Sequence, residues 1–459
     1  EVDNFKSFAN DVTIPFLKGF TTIAGPNGSG KSNIIDSILF ALGLASARNL
    51  RTEQLSDFIS THTKKNEAYV KVALHEGCTL VVIGPENPLA EGLADKFWQA
   101  GIPVVGVKKE AAQLEASKDL AKAFMNKYGV ACAKSRTFTE EGEALSYVEQ
   151  QGAPIVIKAD GLAAGKGVIV AKTVEEAKKA VTDLMKNQTV GEAGKKLVIE
   201  EYLTGDEISI LAAVCVTPEF AKEGKATIVP FQSARDHKRL CDGAKGPNTG
   251  GMGAVSPVSD VTPKILEQFE QNVLQPTLKG LVAEGYDYRG FIFFGLMLTK
   301  DGPKCLEYNV RLGDPETQAV LPLMDFDCAA MCKAVTDGSL KDFKLAWKKG
   351  FTVAPVIVSG GYPREYRKGL PIFMQKDHLE RMGAKVFIAG AIADRRHPNP
   401  LSEGASGLVT SGGRVLACSF TGETFEQAWK GAYAAMEQIR FENMFYRKDI
   451  GLPGAAKSE

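Results

Sequence analysis

Lysines and glycines stand together after a predicted strand near the middle of the chain. Lys158 closes an apolar run, and the loop that follows carries Gly165, Lys166 and Gly167. Glycines let backbone N–H groups approach phosphate oxygens closely, and lysines supply positive charge. Residues 168–171 are predicted to form the returning strand, so the loop joins a β-hairpin. The pattern predicts a phosphate-binding hairpin; the plainer alternative is a mobile surface turn.

A second feature is an apolar strand that ends in acidic residues. The run 197–203 contains Glu200 and ends at Leu203, and Glu207 follows after a glycine. Such a strand end can offer backbone groups to an adenine ring and a carboxylate to ribose hydroxyls. A solvated strand end explains the same residues at least as well, so this feature does not decide the function alone.

A third feature is a strand face that mixes an acid, an amide and a base. In a strand over 304–311, Glu307, Asn309 and Arg311 point to one face, and Asp314 follows. Two oxygen ligands beside a cation suit Mg²⁺ or Mn²⁺ that bridges nucleotide phosphates, and hard oxygen ligands disfavour zinc. A charged face on an exposed edge is the alternative, and the mixed signs favour the metal site over it.

A polar run and a glycine-rich run lie between these strands. Asp236 and Lys238 belong to the polar run 236–239, and glycines dominate 246–253. These residue types would be unusual in a core, so we expect a loop that touches a small anionic substrate. The polar run is short and lacks interleaved aromatic residues, which argues against a nucleic-acid surface.

The N-terminal stretch carries its own phosphate-binding signal. Residues 25–32 match G-x-x-x-x-G-K-[ST], with a β-branched run before them and apolar residues at helical spacing after them. In such a loop, the backbone around Gly28 cradles phosphates, Lys31 reaches the terminal ones and Ser32 holds Mg²⁺.

The composition is that of an ordinary globular enzyme. The chain has 459 residues, of which 44% are hydrophobic and 24% charged, and its formal net charge is zero. No strong field therefore favours nucleic acid or an anionic membrane, and no apolar run has the length of a membrane span. Eight cysteines are scattered without a C-x-x-C pair. This favours reduced thiols in a cytoplasmic enzyme over disulfides or a zinc site.

Several phrases between Gly77 and Gly451 together resemble the glycinamide ribonucleotide synthetase family of ATP-grasp ligases. They occur at 84–89, 113–118, 158–167, 236–239, 246–253, 311–318 and 359–363. The resemblance implies ATP-dependent ligation of glycine to phosphoribosylamine in purine biosynthesis, giving glycinamide ribonucleotide, ADP and phosphate. It implies ATP with Mg²⁺ or Mn²⁺ as cofactors and two small-molecule substrates as partners. We expect no membrane partner, and the neutral net charge disfavours nucleic acid.

The resemblance assigns one set of residues to the nucleotide and its metal. Lys118 and Lys158 hold the ATP phosphates under the hairpin 161–167. The other implied contacts are adenine at Glu200 and Leu203, ribose at Glu207, and the metal at Glu307 and Asn309.

A second implied set lies at the substrates and consists of Asp236, Lys238, Arg311 and Asp314. Catalysis is then charge neutralisation and positioning, without a covalent enzyme nucleophile. One departure from the family pattern is Arg235, where glutamine is expected; this change would disturb the substrate pocket.

Residues 1–76 do not fit this family and resemble the N-terminal ATPase head of structural maintenance of chromosomes (SMC) proteins. The long coiled coil and a second head half do not follow in the sequence. A chromosome-associated P-loop ATPase fragment is therefore our alternative function, and another ATP-grasp carboxylate–amine ligase is a further one. The segment either completes a hybrid sheet in place of the family's own first strand, loop and helix, or forms a poorly docked extension, which we favour.

Strand-like and helix-like segments alternate along the chain, which predicts α/β architecture. We expect a hybrid parallel-sheet N-terminal domain, an ATP-grasp central domain with a lid subdomain, and a small C-terminal α+β domain. The expected divisions are 1–76, 77–112, 113–340 with the lid at about 134–207, 341–452, and a tail at 453–459.

Overall fold

The computed structural model describes residues 65–161, 167–394 and 405–456. Helices and strands alternate through this part of the chain, which confirms the α/β class. Five predicted site residues lie outside the described residues: Gly28, Lys31, Ser32, Gly165 and Lys166. No helix in the described part is both long and apolar enough to cross a bilayer.

The first described part is a small α/β layer. Its elements are α1 (Lys65–His75), β1 (Val81–Val82), α2 (Glu86–Ala90), α3 (Leu93–Gln99), β2 (Val104–Val105) and α4 (Lys109–Ala116). The two strands are parallel, and each is two residues long. Helix α2 begins at Glu86, directly after Pro85 in extended conformation. Leu89 and Phe97 are buried in the same core as the central sheet, so the layer packs directly on the rest of the molecule.

An eight-stranded sheet forms the centre of the molecule. Its strands are β7 (Asp206–Val216), β8 (Thr227–Asp236), β11 (Gly253–Ser256), β12 (Tyr288–Thr299), β13 (Gly302–Asn309), β14 (Phe351–Val358), β16 (Lys385–Ile388) and β19 (Arg414–Gly422). They are antiparallel, in the order β13-β12-β7-β8-β11-β14-β19-β16. Because β11 pairs with both β8 and β14, one sheet continues across residue 340, where we expected a domain boundary.

Apolar runs place the long strands in the middle of this sheet. From Ile208 to Val216, β7 is buried on both faces, as expected for a strand covered by other layers. The helices beside the sheet are α5 (Lys118–Tyr128), α8 (Pro218–Lys222), α9 (Pro263–Phe269), α10 (Gln275–Ala283), α11 (Glu316–Val320) and α12 (Cys328–Asp337). Helix α12 begins where Asp327 accepts hydrogen bonds from the amides of Ala329 and Ala330.

A separate four-stranded sheet forms the lid. It consists of β3 (Ser135–Phe138), β6 (Leu197–Glu201), β4 (Ile155–Ala159) and β5 (Val168–Ala171), in that order, with α6 (Glu141–Gln151) and α7 (Val174–Met185) beside it. Lys158 pairs with Val168, which confirms the predicted hairpin. The lid has its own core, which includes Phe138, Ile157 and Leu184.

The C-terminal part adds a three-stranded sheet and two helices. These are β15 (Pro371–Phe373), β17 (Ala391–Ala393), β18 (Ala405–Thr410), α13 (Lys376–Arg381) and α14 (Phe425–Met436). Thr424 and Gln427 form a capping box that starts α14. A short hairpin of β9 (Arg239–Cys241) and β10 (Lys245–Asn248) includes the first three residues of the glycine-rich run 246–253.

Candidate active site

A cleft of about 660 Å³, including its open mouth, lies between the lid sheet and β13. Helix α5 and strands β4 and β6 form its walls. The structure brings together predicted residues from four separate parts of the sequence, and those that line the cleft are Lys118, Lys158, Glu200, Glu307, Asn309 and Arg311.

A buried glutamate holds two lysines at one wall of the cleft. Glu200 is 3% exposed; its Oε1 lies 3.0 Å from Lys158 Nζ, and its Oε2 lies 3.3 Å from Lys122 Nζ. Strands β4 and β6 are paired, with Lys158 opposite Val198, so Lys158 and Glu200 are diagonal neighbours. Because a buried charge is costly unless it is paired, this arrangement fixes both ammonium groups.

Among the described residues, Lys118 is a cation without a carboxylate partner. It follows Ser117, whose hydroxyl caps α5 and donates to Asp160 Oδ1 at 3.0 Å. Its Nζ donates to the carbonyl of Gly161 at 2.9 Å. Within the described residues, no carboxylate lies at ion-pair distance from Lys118. Burial lowers the pKa of this lysine, and Glu307 opposes that shift. An unpaired, partly desolvated ammonium facing a cleft is well suited to an anionic ligand.

Glu307 supplies a carboxylate to the same cleft, and Asn309 supplies an amide. Burial alone would raise the pKa of Glu307, but Lys238, Lys158 and Lys118 outweigh it and hold the pKa below its usual value. Glu307 therefore remains ionised, as a hard-cation ligand must. Strand β13 ends at Asn309, so Arg311 lies just beyond the strand in which we had placed it.

Arg311 lies in an acidic setting. Its guanidinium contacts Glu115 at 2.9 Å and Glu86 at 3.4 Å. Glu115 also accepts a hydrogen bond from the amide of Val310 at 2.7 Å. Burial raises the pKa of Glu115 to about 7, against the opposing effect of Arg311. The position of Arg311 is thus set by carboxylates from the N-terminal layer.

The other predicted substrate residues form an adjoining group. Asp236 ends β8, and Lys238 forms an ion pair with Glu207 on the neighbouring strand β7. Burial raises the pKa of Asp236 well above its usual range, and nearby Glu316 adds to the effect. Burial alone would lower the pKa of Lys238, but the nearby carboxylates of Glu207 and Glu307 outweigh burial and raise the pKa. Lys238 therefore links this group electrostatically to Glu307 in the cleft.

Arg235, which stands where the family pattern has glutamine, makes polar contacts at the edge of this group. Its guanidinium forms an ion pair with Asp260 at 2.9 Å and donates to the carbonyl of Glu207 at 3.2 Å. Two other predicted residues, Leu203 and Gly167, are not among those that line the cleft. Gly167 closes the hairpin, since its carbonyl accepts from the amide of Ala159 at 2.7 Å.

Sequence reasoning missed several residues of the site. Lys122 lies four residues after Lys118 on α5, so helical periodicity could have revealed it. Glu316 follows Asp314 in the quoted motif and could have been considered with it. Arg414 contacts Asp314 at 2.9 Å from 100 residues away, and no local pattern points to that contact.

Family comparisons agree with this geometry. Residues 116–317 match the phosphoribosylglycinamide synthetase ATP-grasp (A) domain, and residues 352–453 match the C domain of the same synthetase. Residues 1–86 match the RecF/RecN/SMC N-terminal domain. That match confirms the resemblance at the N-terminus, while the phosphate loop itself lies outside the described residues.

Individual relatives extend the likeness over most of the chain. A phosphoribosylamine–glycine ligase of Vibrio vulnificus is 43% identical over 85% of this chain and 86% of its own length. One from Clostridium acetobutylicum is 44% identical over 85% and 89%.

Solved structures agree. The crystal structure of phosphoribosylamine–glycine ligase from Thermotoga maritima has a TM-score of 0.64 at 38% identity, covering 76% of this chain and 82% of that one. The biotin carboxylase domain of the Hydrogenobacter thermophilus 2-oxoglutarate carboxylase has a TM-score of 0.60 at 15% identity, covering 90% and 89%, and shows the fold alone. The chain from the lid to the C-terminal sheet belongs to the phosphoribosylglycinamide synthetase family of ATP-grasp ligases.

Proposed function

We propose that this chain ligates glycine to 5-phosphoribosylamine at the expense of ATP, in the cytoplasmic synthesis of purines. The γ-phosphoryl group moves to a carboxylate oxygen of glycine, and ADP leaves. The amine nitrogen then attacks the acyl carbon, the C–N bond forms, and the C–O bond to phosphate breaks. The amine proton is released with the phosphate. The chain residues bind and orient the reactants and neutralise charge.

The nucleotide would occupy the cleft between lid and sheet. The observation that carries the proposal is the convergence there of Lys118, Lys158 and Glu307. The two lysines would bind phosphates, and the hairpin residues Gly165, Lys166 and Gly167 would cover them. The side chain of Glu200 is engaged by Lys122 and Lys158. Contacts from Glu200 and Leu203 to adenine would therefore use the backbone, and Glu207 would reach ribose.

The donor set also fits a hard divalent cation. In the described part of the chain, no three His, Cys, Asp or Glu side chains converge on a metal position. Glu307 and Asn309 would hold Mg²⁺, or Mn²⁺, and phosphate oxygens of the nucleotide would supply further ligands. When bound, such an ion would supply positive charge that offsets the negative charge of the phosphates.

The substrates would lie beside Asp236, Lys238, Arg311 and Asp314. Lys238 carries a positive charge suited to a carboxylate or phosphate, and Asp236 and Asp314 offer acceptors for an amine. The phosphate loop with Gly28, Lys31 and Ser32 is a further proposed phosphate contact. Lys31→Ala tests it: unchanged folding and unchanged binding of phosphoribosylamine would remove that part of the proposal.

The proposed reaction is tested by ADP release with each substrate omitted in turn. ATP, glycine and freshly made phosphoribosylamine are mixed with the enzyme and Mg²⁺. We expect ADP release only when both glycine and phosphoribosylamine are present. ADP release that continues when either substrate is omitted would contradict the proposal. So would the absence of ADP release from protein that still binds ATP.

A further inference from the structure

Asp314 is held at both carboxylate oxygens although its side chain is 50% exposed. Gln318 donates to Oδ1 at 2.7 Å, and Arg414 donates to Oδ2 at 2.9 Å. An exposed aspartate without such contacts would populate several rotamers. The two contacts select one orientation, which is what a substrate-facing carboxylate requires.

Arg414 reaches this position from the C-terminal part of the chain. It is the first residue of β19, and its side chain is 23% exposed. One terminal nitrogen donates to the carbonyl of Gly250 at 2.5 Å and to the carbonyl of Asp314 at 2.8 Å. A planar guanidinium can serve several acceptors at once in fixed geometry. A single side chain thus connects Asp314 with the glycine-rich loop 246–253.

The loop carries this connection on to Asp236. Gly250 also donates its amide hydrogen to the hydroxyl of Tyr362 at 2.9 Å. At Gly251, φ is +112°, and an added Cβ would lie 2.7 Å from Asp236 Oδ1 and closer still to Pro315. The backbone therefore rests against the carboxylate of Asp236. Displacing Gly250 would remove that support.

We infer that Arg414 is a positioning residue for the ligation, which aligns Asp314 and the loop 246–253 for glycine and phosphoribosylamine. The inference rests on the proposed function and adds to it a residue outside the nucleotide cleft. Since Arg414 does not line that cleft, its loss changes the binding of these two substrates and leaves ATP binding intact.

The kinetic test compares Arg414→Gln and Arg414→Lys with the wild type. Arg414→Gln is expected to raise the KM for glycine or phosphoribosylamine ~10-fold, with the KM for ATP changed less than ~2-fold. Arg414→Lys keeps the positive charge but loses the planar guanidinium that serves several acceptors, so an intermediate KM for glycine or phosphoribosylamine is expected. The matched control is Arg367→Gln, because Arg367 is an exposed arginine of the same C-terminal part, paired with Glu442 at 2.9 Å. It is expected to match the wild type.

Hydrogen exchange on the same proteins gives a second readout that needs no turnover. Amides of residues 246–253 are expected to exchange faster in Arg414→Gln than in Arg367→Gln. Unchanged exchange, unchanged substrate KM values, or a parallel rise in the KM for ATP would overturn the inference. An inactive wild type would count against the proposed function, and exchange would still decide whether Arg414 holds the loop. Arg414→Lys serves where Arg414→Gln does not fold.

Discussion

At the scale of single residues, the cleft is organised by unequal charge pairing. Glu200 binds two lysines, whereas Lys118 has only a carbonyl partner among the described residues. The wall is thus rigid at Lys158 and open to an anion at Lys118. Rigid cations that face a desolvated space bind phosphate more strongly than mobile surface lysines, because little ordering is needed on binding.

Replacing Lys158 by Met tests this wall. The variant would lose the proposed charge-assisted contact to phosphate, so the Kd for a non-hydrolysable ATP analogue is expected to rise ~10- to 100-fold. Glu200 keeps Lys122 as its partner, so the lid should remain folded. Isothermal titration calorimetry measures the affinity. Lys178→Met, which removes an exposed lid lysine paired with Glu149, is the control and should bind as the wild type does. Equal affinity in both variants would contradict the role of Lys158.

His237 provides a prediction about pH. It is 1% exposed; the amide of Gly451 donates to Nε2 at 2.9 Å, so Nδ1 carries the hydrogen and faces the carbonyl of Gly253 at 3.2 Å. Burial, reinforced by Arg447, lowers the pKa of His237 to about 4. Below its ordinary pKa of ~6.5, the unfolded chain binds a proton that the folded chain excludes. The free energy of unfolding therefore falls as pH drops from ~6.5 towards ~4.

This contribution of His237 amounts to about 3 kcal/mol over that range. Urea unfolding at several pH values measures it. His237→Gln cannot titrate, so its free energy of unfolding should fall less steeply than that of the wild type as the pH drops. The difference between the two slopes should correspond to the uptake of up to about one proton on unfolding. Identical slopes in the two proteins would show that His237 does not remain neutral in the folded state.

At the scale of elements, the loop 246–253 depends on a glycine at a close approach. Gly251→Ala would add a Cβ that meets Asp236 and Pro315, at a φ that side chains avoid. We expect a loss of ligase activity of ~10-fold or more with ATP affinity retained, since the loop lies away from the nucleotide cleft. Gly142→Ala, where a Cβ meets nothing within 4 Å on helix α6, is the control. Full activity in Gly251→Ala would show that the loop does not support the site.

Element-level features differ in how far the sequence could predict them. The lysine hairpin and the face with Glu307 and Asn309 followed from period-two patterns and from glycines next to charges. The Arg414–Asp314 contact could not follow, because it depends on how β19 and β14 assemble beside β11. The extent of β1 could not be predicted either: only Val81 and Val82 pair with β2, although the amide of Ile83 still donates to the carbonyl of Val105 at 3.0 Å.

At the scale of the whole molecule, the continuous sheet joins the ATP-grasp strands to the C-terminal strands. Strand β11 lies between β8 and β14, and Val255 and Val353 are buried in one core. The site therefore depends on both parts, since Asp236 ends β8 and Arg414 begins β19.

Native-state hydrogen exchange tests whether the strands of this continuous sheet unfold together. Amides of β8, β11 and β14 are expected to open with one shared free energy, because separating them breaks the same ladder. The lid sheet, with its own core, is the internal comparison and is expected to open at a lower free energy. Exchange of β14 independent of β8 and β11 would show that the C-terminal part is a separate folding unit.

The central claim is that this protein activates the carboxylate of glycine with ATP and then transfers the glycyl group to an amine. The most direct test supplies glycine with both carboxylate oxygens labelled as ¹⁸O and measures the phosphate by mass spectrometry. The proposed chemistry predicts one ¹⁸O in each phosphate released and one in the new amide, because the C–O bond that breaks is glycine's own. Unlabelled phosphate, formed while ADP accumulates in the presence of both substrates, would contradict the account.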